Sequence, residues 1–330
     1  MKADPSALVS VVIVSFNTRD LLRECLHELR TEIAAIPSEV FVVDNNSADG
    51  SADMVAKEFP EVVLIRSSIN LGFAAANNRA FPSCKGKYVV LLNSDAFLRP
   101  DAMRRAIDHM DSHPAAGLGG ARLIGRDGSW QPSGRMFPSV LNEFLSLSGL
   151  SSRFPKSRLF GRQDRTWADQ GKPVQVDWVP GAFAIIRRDV LEQVKYFDEA
   201  FFLYHEEVDL CRRIKRAGYE VWYWPDIVVV HLGGESSKTV RSLSMSESGS
   251  QLTLWRMRSE LIYYRKHLGS SAWLVKMLEE QWHRVRAWKN ASSNDPVRAL
   301  KARDSQKNVS LMQRAWCETQ GGRLSPRRPW

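Results

Sequence analysis

The feature that most constrains this chain is an alternation of short apolar runs with amphipathic segments over its first hundred residues. Val9–Ser15 is rich in β-branched residues, and a helical face follows over 19–30 that carries Leu22, Cys25, Leu26 and Leu29. The pattern recurs as strands near 40–43, 62–65 and 88–92 and as helices from residue 51 and over 72–81. Strands that alternate with helices form right-handed βαβ units. The sequence therefore predicts an α/β fold with a mostly parallel sheet and helices on both faces.

Beyond residue 100 the pattern is less regular. A helix is predicted over 101–112, and strands are predicted near 117–123 and 174–178 with mobile loops between them. PGAFAIIRRDVLEQV predicts a strand that leads into a helix, and EEVDLCRRIKRAG predicts a helix closed by Gly218. YEVWYWPDIVVVHLGG predicts one strand, a break at its proline and a second strand.

Charge divides the chain unevenly. Residues 241–330 carry 17 Lys and Arg against 7 Asp and Glu, whereas the whole chain carries 46 against 37. The same segment holds six of the 11 tryptophans, and this combination predicts an anionic partner, either nucleic acid or a membrane surface. The four cysteines have no Cys-x-x-Cys spacing, which suits a reducing compartment, and no apolar run reaches membrane-spanning length. We therefore expect a cytoplasmic protein.

Small polar residues follow three of the predicted strands. Ser15 and Asn17 follow the first strand, Asp44 to Ser47 the second, and Asn93 to Asp95 a later one. Such residues suit turns and helix starts, but parallel strands end at one edge of a sheet, so three polar ends together favour a ligand site. Dinucleotide, P-loop and nucleophile-elbow motifs are missing from the sequence. The pattern indicates a nucleotide site in which Asp95 could bind Mg²⁺ or Mn²⁺.

Two further groups carry candidate chemistry. Glu206, Glu207 and Asp209 are either acids that suit the first turn of a helix or the source of a general base, and spacing alone leaves the choice open. His231 ends a strand beside a Gly-Gly turn. A lone histidine is usually structural, but this one precedes Ser236, Ser237 and Lys238, which could contact phosphate.

Seven ordered motifs together resemble a known family. They are VVIVSFNTRDLLRECL, VVDNNSADGS, NLGFAAANNRA, LLNSDA, VPGAFAIIRR, FDEAFFLYHEEVDLCRRIKRAG and VVHLGG, within residues 9–240. The set resembles the inverting GT-A glycosyltransferases of family 2, in particular their rhamnosyltransferase-like branch. This resemblance implies a GT-A fold, with a Rossmann-like mostly parallel sheet, followed by a basic helical C-terminal extension.

The resemblance also implies roles for individual residues. Ser15, Asn17, Asp44 and Asn46 would hold the nucleoside of the sugar donor, and Asn70, Gly72, Phe73 and Asn77 would line the nucleotide site. Asn93 and Asp95 stand where the family has Asp-x-Asp, whose last Asp holds a divalent cation on the donor diphosphate. His231 matches a histidine that completes this metal site in parts of the family. Asn93 removes one charge from the motif, but it leaves Asp95 in place.

The acid cluster matches the family's Glu-Asp motif, which supplies the base for the acceptor hydroxyl. Glu207 stands where the family has Asp, so the assignment of the base to Glu207 or Glu206 stays open. We assign the acceptor side of the site to Trp178, Gly181, Ala182, Asp209 and Lys238.

The resemblance predicts an inverting transfer from a nucleoside-diphosphate sugar, with dTDP-L-rhamnose the first choice, to a lipid-linked saccharide or polysaccharide acceptor. The cofactor would be Mg²⁺ or Mn²⁺. Residues 1–100 would form the nucleotide-sugar-binding half of one GT-A domain, and residues 101–240 its acceptor-binding and catalytic half. Residues 241–330 would form the helical, basic and Trp-rich extension. A nucleotidyltransferase, a basic nucleic-acid-binding protein without catalysis and a degenerate glycosyltransferase that only binds are the alternatives. Nucleic acid is not the expected partner, since no nucleic-acid fold motif accompanies the charge.

Within the extension, SAWLVKMLEEQWHRVRAWKN predicts a helix with Leu274, Leu278, Trp282 and Val285 on one stripe. This helix could pack on the catalytic body through its apolar stripe. Its interleaved Trp and Arg residues also suit a membrane interface. The second interpretation predicts that the protein binds peripherally to anionic lipid at the inner face of the cell membrane.

Overall fold

The chain folds into two compact units, seen in a computed structural model. The structure describes residues 7–233, 245–292 and 295–326, with side chains from residue 249 onward in the second range. The described part of the first unit comprises residues 7–137, 164–199 and 206–233, and that of the second comprises 138–163, 200–205, 245–292 and 295–326. The functional division at residues 100 and 240 stays a prediction.

A ten-stranded mixed sheet forms the centre of the first unit. Its main path runs β3-β2-β1-β4-β9-β6-β10-β5, while β7 pairs with β6 and β8 with β10. The first four strands on this path are mutually parallel, and β9 joins them to the rest by antiparallel pairing. The strands are β1 Val9–Ser15, β2 Ser38–Asp44, β3 Val63–Arg66, β4 Tyr88–Asn93, β5 Ala96–Leu98, β6 Ala116–Ile124, β7 Trp130–Gln131, β8 Val174–Gln175, β9 Phe183–Arg187 and β10 Glu220–His231.

Helices surround this sheet and form most of the second unit. In the first unit, α1 buries the four residues expected from its periodicity, namely Leu22, Cys25, Leu26 and Leu29. The predicted α/β architecture is therefore confirmed. The helices of the first unit are α1 Arg19–Glu32, α2 Ser51–Glu58, α3 Gly72–Ala80, α4 Ala102–Ser112, α7 Arg188–Gln193 and α8 Glu206–Arg216. Those of the second unit are α5 Val140–Leu147, α6 Leu150–Arg153, α9 Met245–Leu268, α10 Ser271–Ala291 and α11 Pro296–Glu318.

The core of the first unit is built from the strand faces predicted to be buried. Val11, Ile13, Val42 and Val90 are buried in one cluster with the apolar face of α1. At Gly119 of β6, an added Cβ would lie 1.8 Å from a ring atom of the fully buried Trp224. Close packing of this kind leaves no room for a side chain at that position, so the register of β6 and β10 is tightly specified.

Two sequence-based predictions about elements were wrong. Residues 123–178 contain the helices α5 and α6 in addition to loops. Ser139 caps α5 by accepting a hydrogen bond from Asn142 N, a short-range signal that the polar flanking sequence obscures. The stretch from residue 220 to 231 is one strand rather than two, because β10 absorbs Pro225 in a shift of register between Trp224 and Val228.

The helix predicted in the C-terminal segment exists as α10, but only part of its stripe is covered. Leu274 and Val285 are exposed and Leu278 and Trp282 are half-buried, while the buried side of α10 carries Val275, Glu279 and His283. Packing of this helix on the catalytic body stays a prediction. Among the described residues, no helix is both long and apolar enough to cross a bilayer.

Candidate active site

The register of the parallel strands brings the polar strand ends to one edge of the sheet. Ser15 at the end of β1 lies beside Asp44 of β2, and Val14 lies beside Asn93 of β4. On the other part of the sheet, β10 pairs with β5 so that His231 lies beside Ala96. The strand ends that the sequence singled out are therefore neighbours, in the place where α/β sheets bind ligands.

Hydroxyl groups connect the end of β1 to the Asn-Ser-Asp segment. Ser15 Oγ lies 3.1 Å from Thr18 Oγ1, which donates to Ser94 Oγ at 2.9 Å. The neighbouring loops are also connected, because Asn17 N donates to Ser47 Oγ and Asn17 Oδ1 accepts from Ala48 N. Ser15 is buried, and Asn17 adopts a left-handed backbone conformation with φ of 53°. These bonds hold the edge in place before any ligand binds.

Asp44 presents a buried acceptor to this edge. Its Oδ2 accepts from Ser47 N at 3.1 Å, and only 4% of the residue is exposed. Its Oδ1 is buried and has no hydrogen-bond partner among the described residues. A buried acceptor without a donor is costly, so Asp44 suits a ligand that donates an N–H or O–H group, such as a pyrimidine base or a ribose.

The loop before α3 is shaped by Asn45, which the sequence analysis did not select. Asn45 Nδ2 donates to Asn70 Oδ1 at 2.9 Å, and Asn45 Oδ1 accepts from Leu71 N at 2.7 Å. Asn70 Oδ1 also accepts from Gly72 N, and the φ of 79° at Gly72 is one that glycine adopts readily. The predicted Asn46, by contrast, is exposed in the loop after β2 with φ of 69°.

Phe73 and Asn77 lie on α3, and the Phe73 ring packs this helix against neighbouring residues. The Phe73 ring packs edge-on against Phe197 at 5.9 Å, and an added Cβ on Gly181 would lie 3.3 Å from the Phe73 ring. Asn77 is buried and donates to Phe73 O at 2.9 Å. Gly181, which is predicted to contact the acceptor, therefore lies next to Phe73, which is predicted to line the nucleotide site.

Asp95 and His231 form a pair at the end of β4. Asp95 Oδ1 lies 3.6 Å from His231 Nε2, and their side chains are 6% and 16% exposed. Asn93 Nδ2 lies 3.4 Å from the same His231 nitrogen, and Leu232 N donates to Asp95 O. All three residues predicted for the metal end of the site are therefore adjacent.

Gln131 sets the tautomer of His231. Gln131 Nε2 donates to His231 O at 2.8 Å, which fixes the amide so that Gln131 Oε1 faces His231 Nδ1 at 3.0 Å. Since Oε1 can only accept, Nδ1 carries the proton. Burial lowers the pKa of His231, and this effect outweighs the nearby charge of Asp95, which raises it. The lowered pKa favours the neutral ring. His231 Nε2 is therefore an acceptor, 3.4 Å from Asn93 Nδ2 and 3.6 Å from Asp95 Oδ1.

This arrangement fits a divalent cation. One carboxylate oxygen and one imidazole nitrogen, both of which can coordinate a cation, lie 3.6 Å apart. Among the described residues, no group of three or more His, Cys, Asp or Glu side chains could hold a metal ion. A two-residue site is consistent with Mg²⁺ or Mn²⁺, which usually bind through one or two protein ligands together with substrate phosphates.

The two glutamates at the start of α8 are basic carboxylates. Burial raises the pKa of Glu206 well above its ordinary value, and the charge of Glu207 raises it further. Burial also raises the pKa of Glu207, and the positive charge of Arg135 opposes this shift. One oxygen of each, Oε2, is buried without a hydrogen-bond partner among the described residues. Both are therefore equipped to accept a proton.

The residues predicted for the acceptor have different surroundings. Trp178 is buried, donates to Met136 O and carries the Arg135 guanidinium 4.6 Å from its ring. Ala182 is buried, and its carbonyl accepts from Asn93 N. Asp209 is fully buried and paired with Arg213 at 2.7 Å. Lys238 lies outside the described residues.

A cavity of about 590 Å³ lies beside the loops after β1 and β2. It includes Asn17, but it does not include Asp44, Asp95 or His231. The convergence of polar side chains, rather than this cavity, therefore defines the candidate site. Its lining residues are Asn17, Thr18, Arg19, Asp20, Leu21, Ala48 and Asp49.

Known proteins share both the sequence pattern and the fold. An N-acetylglucosaminyl-diphospho-decaprenol L-rhamnosyltransferase of Mycobacterium tuberculosis is 30% identical over 208 residues, which cover 59% of this chain and 66% of the relative. The rhamnosyltransferase WbbL of Escherichia coli K12 is 23% identical, with 78% of this chain and 92% of the relative covered. The match thus spans slightly less than two thirds of the mycobacterial protein.

Among solved structures, the mannosyltransferase PcManGT of Pyrobaculum calidifontis, in complex with GDP-Man and Mn²⁺, superposes with a TM-score of 0.57. The two chains are 17% identical, and the match covers 96% of this chain and 87% of that one. This likeness shows the fold. The sequence itself matches the model of the Glycosyl transferase family 2 over residues 10–195, a stretch that includes most of β1, the Asn-Leu-Gly-Phe segment and Asp95. The chain therefore belongs to glycosyl transferase family 2.

Proposed function

We propose that this protein transfers L-rhamnose from a nucleoside-diphosphate donor, dTDP-L-rhamnose, to a lipid-linked saccharide or polysaccharide in cell-surface glycan synthesis. The observation that carries the proposal is the Asp95–His231 pair at the same edge as the buried Asp44 acceptor. This edge suits a ligand with a base at one end and a diphosphate at the other. The names of the mycobacterial and E. coli relatives support rhamnose as the sugar.

Each part of the donor has a matching group in this edge. Asp44 Oδ1 would accept a hydrogen bond from the nucleoside, and Asn45 with Asn70 would keep the loop before α3 in shape. Asp95 and His231 would hold Mg²⁺ or Mn²⁺, which when bound would neutralise charge on the donor diphosphate. The Mn²⁺ complex of PcManGT supports this cofactor.

Glu207 would act as the general base on the acceptor. Burial raises the pKa of its carboxyl, so the carboxylate holds a proton more strongly than an exposed one and can remove it from a hydroxyl group. The freed oxygen would then attack the anomeric carbon as the diphosphate leaves from the opposite face. One such displacement inverts the anomeric configuration. Glu206, whose pKa is raised by burial and by Glu207, is the alternative base.

We also propose that the protein works at the inner face of the cell membrane. A polyprenyl-linked acceptor would present its saccharide there, and the acceptor of the mycobacterial relative is a decaprenol derivative by name. Trp178 and Gly181 are the residues that we assign to this acceptor.

A donor screen with purified protein tests the proposal. Nucleoside-diphosphate release from a panel of sugar nucleotides would be measured with Mg²⁺ or Mn²⁺ and a polyprenyl-diphosphate saccharide. We expect dTDP-L-rhamnose to give the fastest release, with the sugar recovered on the lipid. Asp95→Asn should abolish turnover, and reversible chelation should have the same effect, while the thermal unfolding of the variant stays normal.

Two results would contradict the proposal. Near-normal turnover by Asp95→Asn would exclude the metal assignment, because the substitution removes the charge and keeps the shape of the side chain. Release of pyrophosphate from nucleoside triphosphates, without transfer from any sugar nucleotide, would favour a nucleotidyltransferase.

A further inference from the structure

The helix α10 departs from the usual amphipathic pattern. Its buried side mixes apolar residues with charged and polar ones, namely Ala272, Val275, Glu279, Glu280, His283 and Ala287. Helices on the surface of soluble proteins normally turn their apolar side inward and their charged side to water. The inward position of two glutamates therefore needs a physical reason, and so does the outward position of the apolar side chains.

Ion pairs supply the reason for the buried charges. Arg256 of α9 contacts Glu260 at 2.9 Å and Glu279 at 3.2 Å, and Lys276 contacts Glu280 at 2.7 Å. Burial lowers the pKa of Arg256, but Glu279 and Glu260 outweigh this effect and keep it above its ordinary value. Arg256 thus joins α9 to α10 through Glu279, and its removal would leave the buried carboxylates of Glu260 and Glu279 without this cation.

The outward side of α10 carries the large apolar residues. The exposed fractions are 50% for Trp273, 44% for Leu274, 44% for Val285 and 76% for Trp288. Just beyond the helix, at the start of α11, Val297 and Leu300 are 59% and 55% exposed. Among the described residues, every exposed large hydrophobic side chain except Val63 and Ile69 belongs to the second unit. Concentrated exposure of this kind marks an interaction surface.

Basic residues accompany these apolar side chains. The side chain of Arg284 is 53% exposed and lies 3.8 Å from Glu280, and Lys289 is exposed, both on the outward side of α10. Over residues 271–326 the sequence carries 10 Lys and Arg against 5 Asp and Glu. Two of these acids, Glu279 and Glu280, are buried, and Lys276 pairs with Glu280. The solvent side of this segment therefore carries more basic than acidic side chains.

We propose that the outward face of α10, formed by Trp273, Leu274, Arg284, Val285, Trp288 and Lys289, binds the surface of an anionic lipid bilayer. Tryptophan rings and aliphatic side chains suit the boundary between headgroups and acyl chains, and cations are attracted to anionic headgroups. A second copy of this chain would bring like charges together on this face, so charge complementarity favours lipid over self-association.

This inference builds on the proposed function, because a lipid-linked acceptor gives the bilayer contact its purpose. The contact would hold the catalytic unit close to such acceptors. Lipid binding is measured without any sugar substrate, so a failure of this inference and a failure of the proposed activity can be told apart.

Vesicle flotation of the full-length protein tests the inference. We expect binding to phosphatidylcholine vesicles that contain phosphatidylglycerol, weak binding to phosphatidylcholine alone, and release by high salt. Each basic residue near an anionic surface changes affinity by about fivefold, so Arg284→Ala with Lys289→Ala should weaken binding by about 25-fold. Trp288→Ser should weaken binding to anionic vesicles as well, although it leaves the charge unchanged.

Matched variants on the first unit provide the controls. Lys57→Ala removes an exposed charge from α2, and Ile69→Ser removes a side chain that is 50% exposed. Both should bind vesicles like the wild type, and far-UV circular dichroism should show that all variants are folded. Equal flotation of wild type and α10 variants on anionic vesicles would overturn the inference. Loss of a dimer in Trp288→Ser, in a protein that does not bind vesicles, would assign the face to a second copy instead.

Discussion

At the scale of single residues, Gln131 has the role that is hardest to see in the sequence. It lies 100 positions before His231 in the chain, and its two hydrogen bonds fix the tautomer of that histidine. Gln131 contacts His231 through O and Nδ1, on the side of the ring away from Nε2, so we regard it as a positioning residue. Residues that hydrogen-bond to metal ligands commonly affect metal affinity by about 10- to 100-fold.

We therefore predict that Gln131→Met weakens Mn²⁺ binding by about this factor, because His231 is no longer held in the tautomer that leaves Nε2 free of a proton. Mn²⁺ titration in the presence of a nucleoside diphosphate, followed by electron paramagnetic resonance, measures the change directly. Gln131→Glu, which keeps an oxygen acceptor next to Nδ1, should retain more of the affinity. Unchanged Mn²⁺ affinity in Gln131→Met would show that the tautomer does not depend on this residue.

The sequence predicted part of this residue-scale picture. Ser15, Asp44, Asn93, Asp95 and His231 were selected because they end strands, and the register of the sheet does bring them to one edge. Asn45, Thr18 and Gln131 were not selected, since each acts by a side-chain hydrogen bond to a distant part of the chain. Short-range patterns such as turn chemistry and helix periodicity contain no information about such bonds.

At the scale of elements, the start of α8 provides the two candidate general bases. The chain enters this helix through Tyr204 and His205, which have φ of 70° and 67°, a rare conformation for residues other than glycine. The helix then presents Glu206 and Glu207 while its buried face carries Val208, Cys211 and Ile214, as the periodicity predicted. Tyr204 and His205 thus have a strained backbone directly before the acid pair. Such strain is typical of a functional position.

We predict that Glu207→Gln lowers turnover by about 10²- to 10⁴-fold, the usual contribution of a general base, while donor binding is preserved. Glu206→Gln should have a smaller effect. Since burial raises the pKa of Glu207, the active carboxylate is lost as pH falls through this raised value. The acid limb of the kcat/KM profile should therefore lie above the ordinary glutamate pKa, and pH-rate profiles of the three proteins measure it.

A larger effect of Glu206→Gln would assign the base to Glu206. If neither substitution changes turnover, the acid pair only starts a helix. The matched control is Glu192→Gln, a partly exposed carboxylate on α7 that pairs with Arg188 and should leave the profile unchanged.

Elements whose signals are local were predicted well. The β-branched run of β1 and the helical spacing of α1 each specify one structure by themselves. The short α5 was missed because its cap lies in a polar stretch, and β10 was split in two because a proline inside a strand usually ends it. Its bulge between Trp224 and Val228 depends on pairing with β6, which is formed by distant residues.

At the scale of the whole molecule, charge and function are distributed between the two units. Every described candidate residue for the donor, the metal and the base lies in the first unit, and the exposed apolar and basic face of α10 lies in the second. The sequence showed the basic and tryptophan-rich character of the C-terminal segment. It did not show which side of α10 is buried, because that depends on the ion pairs of Glu279 and Glu280 with residues of α9 and α10.

The central claim is that this edge of the sheet performs a single displacement at the anomeric carbon of a nucleoside-diphosphate sugar. The most direct measurement is the anomeric configuration of the transferred sugar, obtained from the one-bond carbon–hydrogen coupling in an NMR spectrum of the purified product. If Glu207 deprotonates the acceptor for direct attack, the product has the configuration opposite to that of the donor. A product with the configuration of the donor would contradict the account, since retention requires a different mechanism.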